Sequence, residues 1–514
     1  MRRFCVFLLC AVLLSGCGGM HSRLAGAGDV LRIADPVDPP SLNPLLAHDQ
    51  TTIGYDLLVC QTLVGIDASN RLVPILVTRI PSRENGGVSR DGRVITYHLR
   101  HGVRFADGRA LTSADVAFTY RAIVDRRNNV LSVDAYQRIA SLAAPDPYTV
   151  VIRLKSPWNA AVTRLFAQSD FAFGILPAHA FKDTRLQRAP WEQRPFGSGP
   201  FRVAQWQRGD RIVLERNPYF RPVPKLARIV LRIIPNTDAA FDALRAHDVD
   251  IGPLYPEMIA QARASANLSI LRTPENATVW LSLLTSREPT SDARVRRAIA
   301  YAIDMHTVAG AYDHLYPQAA AFLPPVLAWH DARMRPYPYD PAKARALLGN
   351  HRIDALLVVQ SEEPLFTRIA TIVQQQLANA GIGVTIKEFP TALYNAPEGP
   401  IRNARFTIAI DGWLGGADPE QSVVFTCAQA TVDGSNISRY CDPRFEALFR
   451  DQERTGSAAQ RARDFQQMQQ LIHDDVPVIP LYYETYEDGV STRVHGFERN
   501  MLRYPVAPET WSVR

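Results

Sequence analysis

Apolar positions along the chain switch repeatedly between a period of two and a period near 3.6, which predicts strands and helices mixed throughout. Asp29 to Ala34 reads as a first strand, leading into a proline-rich loop. In Val94 to Leu99, Ile95, Tyr97 and Leu99 fall on one face, Thr96 and His98 on the other. That strand runs into two turn signals, His101-Gly102 and Asp107-Gly108. A helix is predicted directly after them: Thr112 and Asp115 make a capping box, and Val116, Tyr120, Ile123 and Val124 form its apolar stripe. Thr149 to Leu154 is a further strand, followed by a helix-like stretch ending near Pro177.

Beyond that point, Ile212 to Glu215 and Arg228 to Ile233 are predicted strands. Asp238 to Arg245 is a short helix with Phe241 and Leu244 inward, and Asp292 to Ile303 a stronger one buried through Val295, Ile299, Ala302 and Ile303. Asp340 caps a helix that starts at Pro341 and runs through Leu348. Phe366, Ile369, Val373 and Leu377 mark a longer helix ending before Gly381. The strand Phe406 to Ile410 is expected to open into a loop, Asp411 to Pro419. Proline-rich breaks near 190–200 and 322–341 are candidate boundaries, and no internal repeat appears.

With 514 residues the chain is too long for one hydrophobic core and suits two or three domains. A net charge of +6 without any Lys/Arg block argues against nucleic acid as a partner. The N-terminus changes the picture most. Arg2 and Arg3 precede an apolar run, Phe4 to Leu14, too short to cross a bilayer but the length of a signal-peptide core. Leu14-Ser-Gly-Cys17 resembles a bacterial lipobox, which implies removal of residues 1–16 and lipidation of Cys17. Residues 17–28 are then a flexible tether, and the protein a lipid-anchored resident of the cell envelope. Gly18 leaves both membranes of a two-membrane envelope open as the anchor site.

Export agrees with the cysteines. Cys5 and Cys10 leave with the signal, and Cys17 takes the lipid. Cys427 and Cys441 flank a short polar segment whose closure by a disulfide contributes about 3 kcal/mol in an oxidising compartment. Cys60, in the apolar run Leu57 to Cys60, is expected to be a buried inert thiol.

Motifs of chemistry are missing. There is no P-loop, no H-E-x-x-H, no G-x-S-x-G and no C-x-x-C pair. His98 and His101 do not share a face on a strand and its turn, so no metal site is expected. Glu362-Glu363 are neighbours that do not face each other, and in a first helical turn they complement the dipole. No catalytic residue and no cofactor is predicted, although dispersed triads leave an extracytoplasmic peptide hydrolase as the alternative of another class.

A series of segments closely resembles the family 5 extracellular solute-binding proteins, the dipeptide-, oligopeptide- and nickel-binding components of ABC importers. The first is YHLRHGVRFADGRALTSADVAF, Tyr97 to Phe118. FGSGPFRV (Phe196 to Val203), ERNPY (Glu215 to Tyr219) and FDALRAHDVDI (Phe241 to Ile251) follow in family order. DARVRRAIAYAID (Asp292 to Asp304), YDPAKARALL (Tyr339 to Leu348) and VIPLY (Val478 to Tyr482) complete it. The resemblance implies an α/β two-lobed periplasmic-binding-protein fold of type II, with an extra domain and a ligand cleft between the lobes. Lobe 1 is expected over residues 29–284 with an extra subdomain at about 80–194, lobe 2 over 285–484, and a C-terminal return to lobe 1 over 485–514.

That family implies hinge closure on a peptide, an oligopeptide in the first instance, and delivery to an ABC permease and its ATPase by a monomer. A non-peptide solute (opine, oligosaccharide or metal chelate) and a sensing role stay open. In peptide-binding relatives a "GW…D…DP" loop supplies an aspartate for the peptide amine. Here Trp413 and Asp418-Pro419 match, while Gly415 and Gly416 stand where that acid is expected. Either Asp418 takes the role from a shifted position or the amine site is absent, and the second is favoured. Gln360 stands near the place of the carboxylate-binding arginine. The cleft candidates are thus Asp411, Trp413, Gly415, Gly416, Asp418 and Gln360. The family also carries a cysteine pair matching Cys427 and Cys441.

Overall fold

The computed structural model describes residues 29–514 apart from His48, Asp170, Thr184 and Arg188. The signal segment 1–16, the tether 17–28 and Cys17 lie outside the described residues. Among the described residues no helix is long and apolar enough to cross a membrane.

Thirteen strands build the two larger sheets. In chain order they are β1 (Val30–Asp35), β2 (Val94–His98), β3 (Ile139–Asp146), β4 (Thr149–Leu154), β5 (Phe201–Gln207), β6 (Arg211–Arg216) and β7 (Arg228–Ile233). Then come β8 (Ile251–Pro253), β9 (Leu268–Leu283), β10 (Ile353–Gln360), β11 (Ile382–Phe389), β12 (Ile408–Leu414) and β13 (Val478–Ser491). One ten-stranded sheet takes the order β11-β10-β12-β9-β13-β8-β1-β7-β6-β5, and a three-stranded sheet the order β2-β4-β3. Two long antiparallel strands, β9 and β13, hold the centre of the large sheet and join its halves. Their ladder is interrupted between Pro274 and Thr278.

The helices that matter here are α1 (Gln50–Val59), α2 (Ser113–Val124), α3 (Thr237–Arg245), α4 (Ala293–Ala302), α5 (Pro341–Leu348), α6 (Pro364–Asn379), α7 (Pro443–Arg454) and α8 (Ala458–Asp475). Local chemistry sets their ends. Asp115 accepts the Thr112 N–H at 2.8 Å at the start of α2, and Asp340 accepts the Lys343 N–H at 2.8 Å at the start of α5. Apolar cores form on each half, one around Leu31, Tyr97, Phe166 and Phe201, another around Leu281, Ile299, Val373 and Ile408. A third, with Ile53, Leu57, Phe322, Phe425 and Phe465, draws residues from both.

Three expectations are corrected. The stretch before Pro177 contains only a four-residue helix, Ala161–Arg164. Most of its apolar residues are buried, Leu165, Phe166, Phe173, Ile175 and Leu176 among them, and its backbone pairs elsewhere: the Leu63 N–H donates to the Phe166 carbonyl and the Ile175 N–H to the Gln61 carbonyl. Val124 is exposed at the last position of α2, and Phe118 and Ala122 are buried instead. Strand β12 begins at Ile408 and continues to Leu414, so Asp411 to Leu414 are strand and not loop.

Cys60 ends α1 with no exposed surface, and burial pushes its thiol well up. Gly174 and Gly197 press on it: a Cβ on either would lie 2.7 Å from Cys60 atoms. The FGSGPFRV segment thus owes its first glycine to close approach. Cys427 and Cys441 form a disulfide, as expected.

Candidate functional site

A cavity of about 550 Å³ lies between the 132–171 segment and the 412–461 segment. Aromatic and aliphatic groups form much of its wall, Trp158 and Phe171 from one side, Trp413 and Phe449 from the other. Its size and mixed lining suit a small solute.

Trp413 reaches the cavity because β12 carries it there, in register with Thr278 of β9. The Thr278 hydroxyl donates to the Phe322 carbonyl at 3.1 Å, which ties that strand to the third core. Asp418 also lines the cavity but is already paired. Arg461 of α8 grips it in a bidentate ion pair, Nη1 donating to Oδ2 at 2.8 Å, with both side chains buried. Arg461 donates further to Gln452 at 3.1 Å and lies over the rings of Trp329 and Phe465. Such a carboxylate has its charge spent internally.

The other candidates sit elsewhere. Gly415 and Gly416 are buried against β9, the Gly415 N–H donating to the Asn276 carbonyl at 2.8 Å and the Asn276 amide to the Gly416 carbonyl. Asp411 lies opposite Trp280, and desolvation pushes its carboxyl up to about 7. Gln360 ends β10, where its carbonyl accepts the Glu363 N–H at 3.4 Å. None of these four lines the cavity that Trp413 and Asp418 share.

A second constellation was not anticipated. Where the β9–β13 ladder breaks, Glu275 is buried and held bidentately by Arg503, whose Nη2 donates to Oε2 at 2.8 Å. Arg503 stacks over Tyr486 at 4.6 Å, and Arg499 grips Asp488 with Nε to Oδ2 at 2.6 Å. The carboxylate of Glu484, on β13 at the same break, makes no hydrogen bond or ion pair with a described residue. Its carboxyl is raised to about 7 by desolvation first and by Glu275, Glu363 and Glu487 after it, against Arg503. Glu363 stands at the N-cap of α6 and Glu362 before it, accepting the Thr391 N–H at 2.7 Å, so neither acid lies in the first helical turn as expected; burial and then Glu362 raise the Glu363 carboxyl. The sequence signal was an interruption: Tyr482 to Asp488 places acids inside an apolar strand. Among the described residues no group of His, Cys, Asp and Glu could hold a metal ion.

Comparison with known proteins places the chain in a family. Residues 71–434 match the bacterial extracellular solute-binding proteins, family 5 Middle. The dipeptide-binding protein of Escherichia coli (strain K12) is 26% identical over 499 residues, covering 89% of this chain and 90% of that one. Among solved structures, the ABC transporter substrate-binding protein CtaP of Listeria monocytogenes superposes with a TM-score of 0.84 at 22% identity, over 95% of this chain and 99% of that one. The oligopeptide-binding protein AppA of Bacillus subtilis, solved with a nonapeptide, gives 0.77 at 23% identity, over 95% and 100%. The two-lobed type II binding-protein fold expected from the sequence is the fold found.

Proposed function

The chain belongs to the bacterial extracellular solute-binding proteins of family 5, and from that premise we propose that it captures peptides for an ABC importer. The cavity between the 132–171 and 412–461 segments is the ligand site in this reading, and it is the observation that carries it. Lobe 1 is assigned to residues 29–284, with an inserted subdomain at about 80–194, lobe 2 to 285–484, and the return to 485–514. Closure of the lobes encloses the peptide, and the permease with its ATPase takes it from the closed form. Trp158 and Trp413 present flat apolar walls for side chains. Asp418, neutralised by Arg461, is a wall and not an amine anchor.

Family members are binding proteins, and stoichiometric capture without turnover is the role assigned here. The lipid anchor on Cys17 is part of the proposal; a Cys17→Ser chain released from the membrane fraction is the expected result. Native mass spectrometry of the protein purified from its own envelope tests the ligand. Bound peptides, lost on Trp413→Ala, support the reading. An opine, sugar or metal chelate in their place overturns the peptide and keeps the carrier, whereas peptide fragments accumulating with time overturn the carrier.

A further inference from the structure

Beside the Asp418–Arg461 pair, at Gln452, the two sides of the cavity touch directly. Asn159 lies between Trp158 and Ala160, both in the cavity wall. Its backbone N–H donates to the Glu453 carbonyl at 2.8 Å. Its side-chain Nδ2 donates to the carbonyls of Gln452 at 2.7 Å and Thr455 at 2.8 Å. These are carbonyls at the C-terminal end of α7, which a helix cannot satisfy for itself. One residue of the inserted subdomain therefore caps a helix of the other lobe. Beside it Arg138 pairs with Glu453 at 2.8 Å while lying over the Trp158 ring at 4.6 Å.

We propose that Asn159 is a latch: a positioning residue that stabilises the closed cleft through α7 without touching the ligand, with the Arg138–Glu453 pair, which lines the cavity, beside it. This rests on the reading of the cavity as the ligand site. A contact made only in the closed state multiplies the affinity for every ligand by one factor, since it shifts the open–closed equilibrium and not the fit. A group that touches the ligand changes affinities unequally.

The test measures dissociation constants of trialanine and Ala-Lys-Ala, two probes of different charge, together with small-angle scattering of the ligand-free protein. Asn159→Ala removes two hydrogen bonds and is expected to weaken both peptides by about tenfold alike, mostly through faster dissociation. Arg138→Ala removes a partly exposed pair and is expected to cost about threefold. Exchanging the charges with Arg138→Glu and Glu453→Arg together recovers most of that loss. Unequal losses for the two peptides on Asn159→Ala overturn the latch and make Asn159 a ligand contact, and no loss on that change overturns it outright. If the unaltered protein binds neither peptide, the peptide reading falls by itself. Scattering then decides the latch: a larger radius of gyration for Asn159→Ala supports it, and an unchanged radius overturns it.

Discussion

Two acids, Asp418 in the cavity wall and Glu484 at the break in the β9–β13 ladder, share a residue class and differ in what decides their behaviour. Asp418 is buried, yet Arg461 meets both its oxygens and Gln452 satisfies the arginine in turn. Glu484 is less deeply placed, yet no cation grips it, since Arg503 is committed to Glu275. Its carboxyl accordingly titrates near 7. Burial alone does not set the charge of an acid; the commitment of the nearest cation does. One acid is therefore a fixed structural element, the other a group that changes charge in the neutral range.

The comparison can be broken at its strongest point. Arg461→Ala leaves Asp418 buried without a partner and is expected to cost about 3–5 kcal/mol, read from the urea midpoint. The loss should shrink at pH 5, where a stranded carboxyl can take a proton. A loss independent of pH would mean that Asp418 finds another cation.

A smaller change loosens the Asp418 side only. Replacing Cys427 and Cys441 by serine opens a loop with a sequence separation of 14 and should lower stability by about 3 kcal/mol. The titration of Glu484, followed by the carboxyl signal in NMR, should not move.

Glu484→Gln acts on the other member. A folded-state value of about 7, above the unfolded value near 4.3, means that the folded form holds its proton longer. This group's stabilising share is full below about pH 4 and is lost as pH rises through 7. The glutamine variant should gain about 2 kcal/mol over the unaltered protein at pH 8 and nothing at pH 4, measured by thermal unfolding across pH. Asp411, also raised to about 7, imposes a slope of the same sign, so Asp411→Asn should flatten what remains. The smallest effect is expected from Thr485→Ala, which removes the hydroxyl that donates to Glu487 at 2.6 Å, at about 1 kcal/mol. If it alters the Glu484 titration, the acids at the break act as one network.

Much of the scaffold was legible because it is local. The α2 capping box, the Asp340-Pro341 start of α5 and the alternation of β2 each depend on residues a few positions apart, and each is found. The segment before Pro177 departs from its period because most of its apolar residues are buried and its hydrogen bonds go to residues 61–64, which no period reveals. At the site, Trp413 and Asp418 were found in the cavity wall, but the partner that neutralises Asp418 is 43 residues away. Glu275 and Arg503, 228 residues apart, meet only because two strands cross the molecule. Asn159 and α7 were equally out of reach of any local pattern.

The sealing of Cys60 under Gly174 and Gly197 bears on how the chain matures. Three thiols among the described residues allow three pairings, and only one is native. Before folding, ring closure over a separation of 14 is favoured over closure from Cys60 to Cys427 by about a hundredfold on chain entropy alone. Once α1 packs, the odd thiol is withdrawn from every oxidant and every other sulfur. The chain thus reaches its single crosslink by default, with little need of an isomerase to shuffle it.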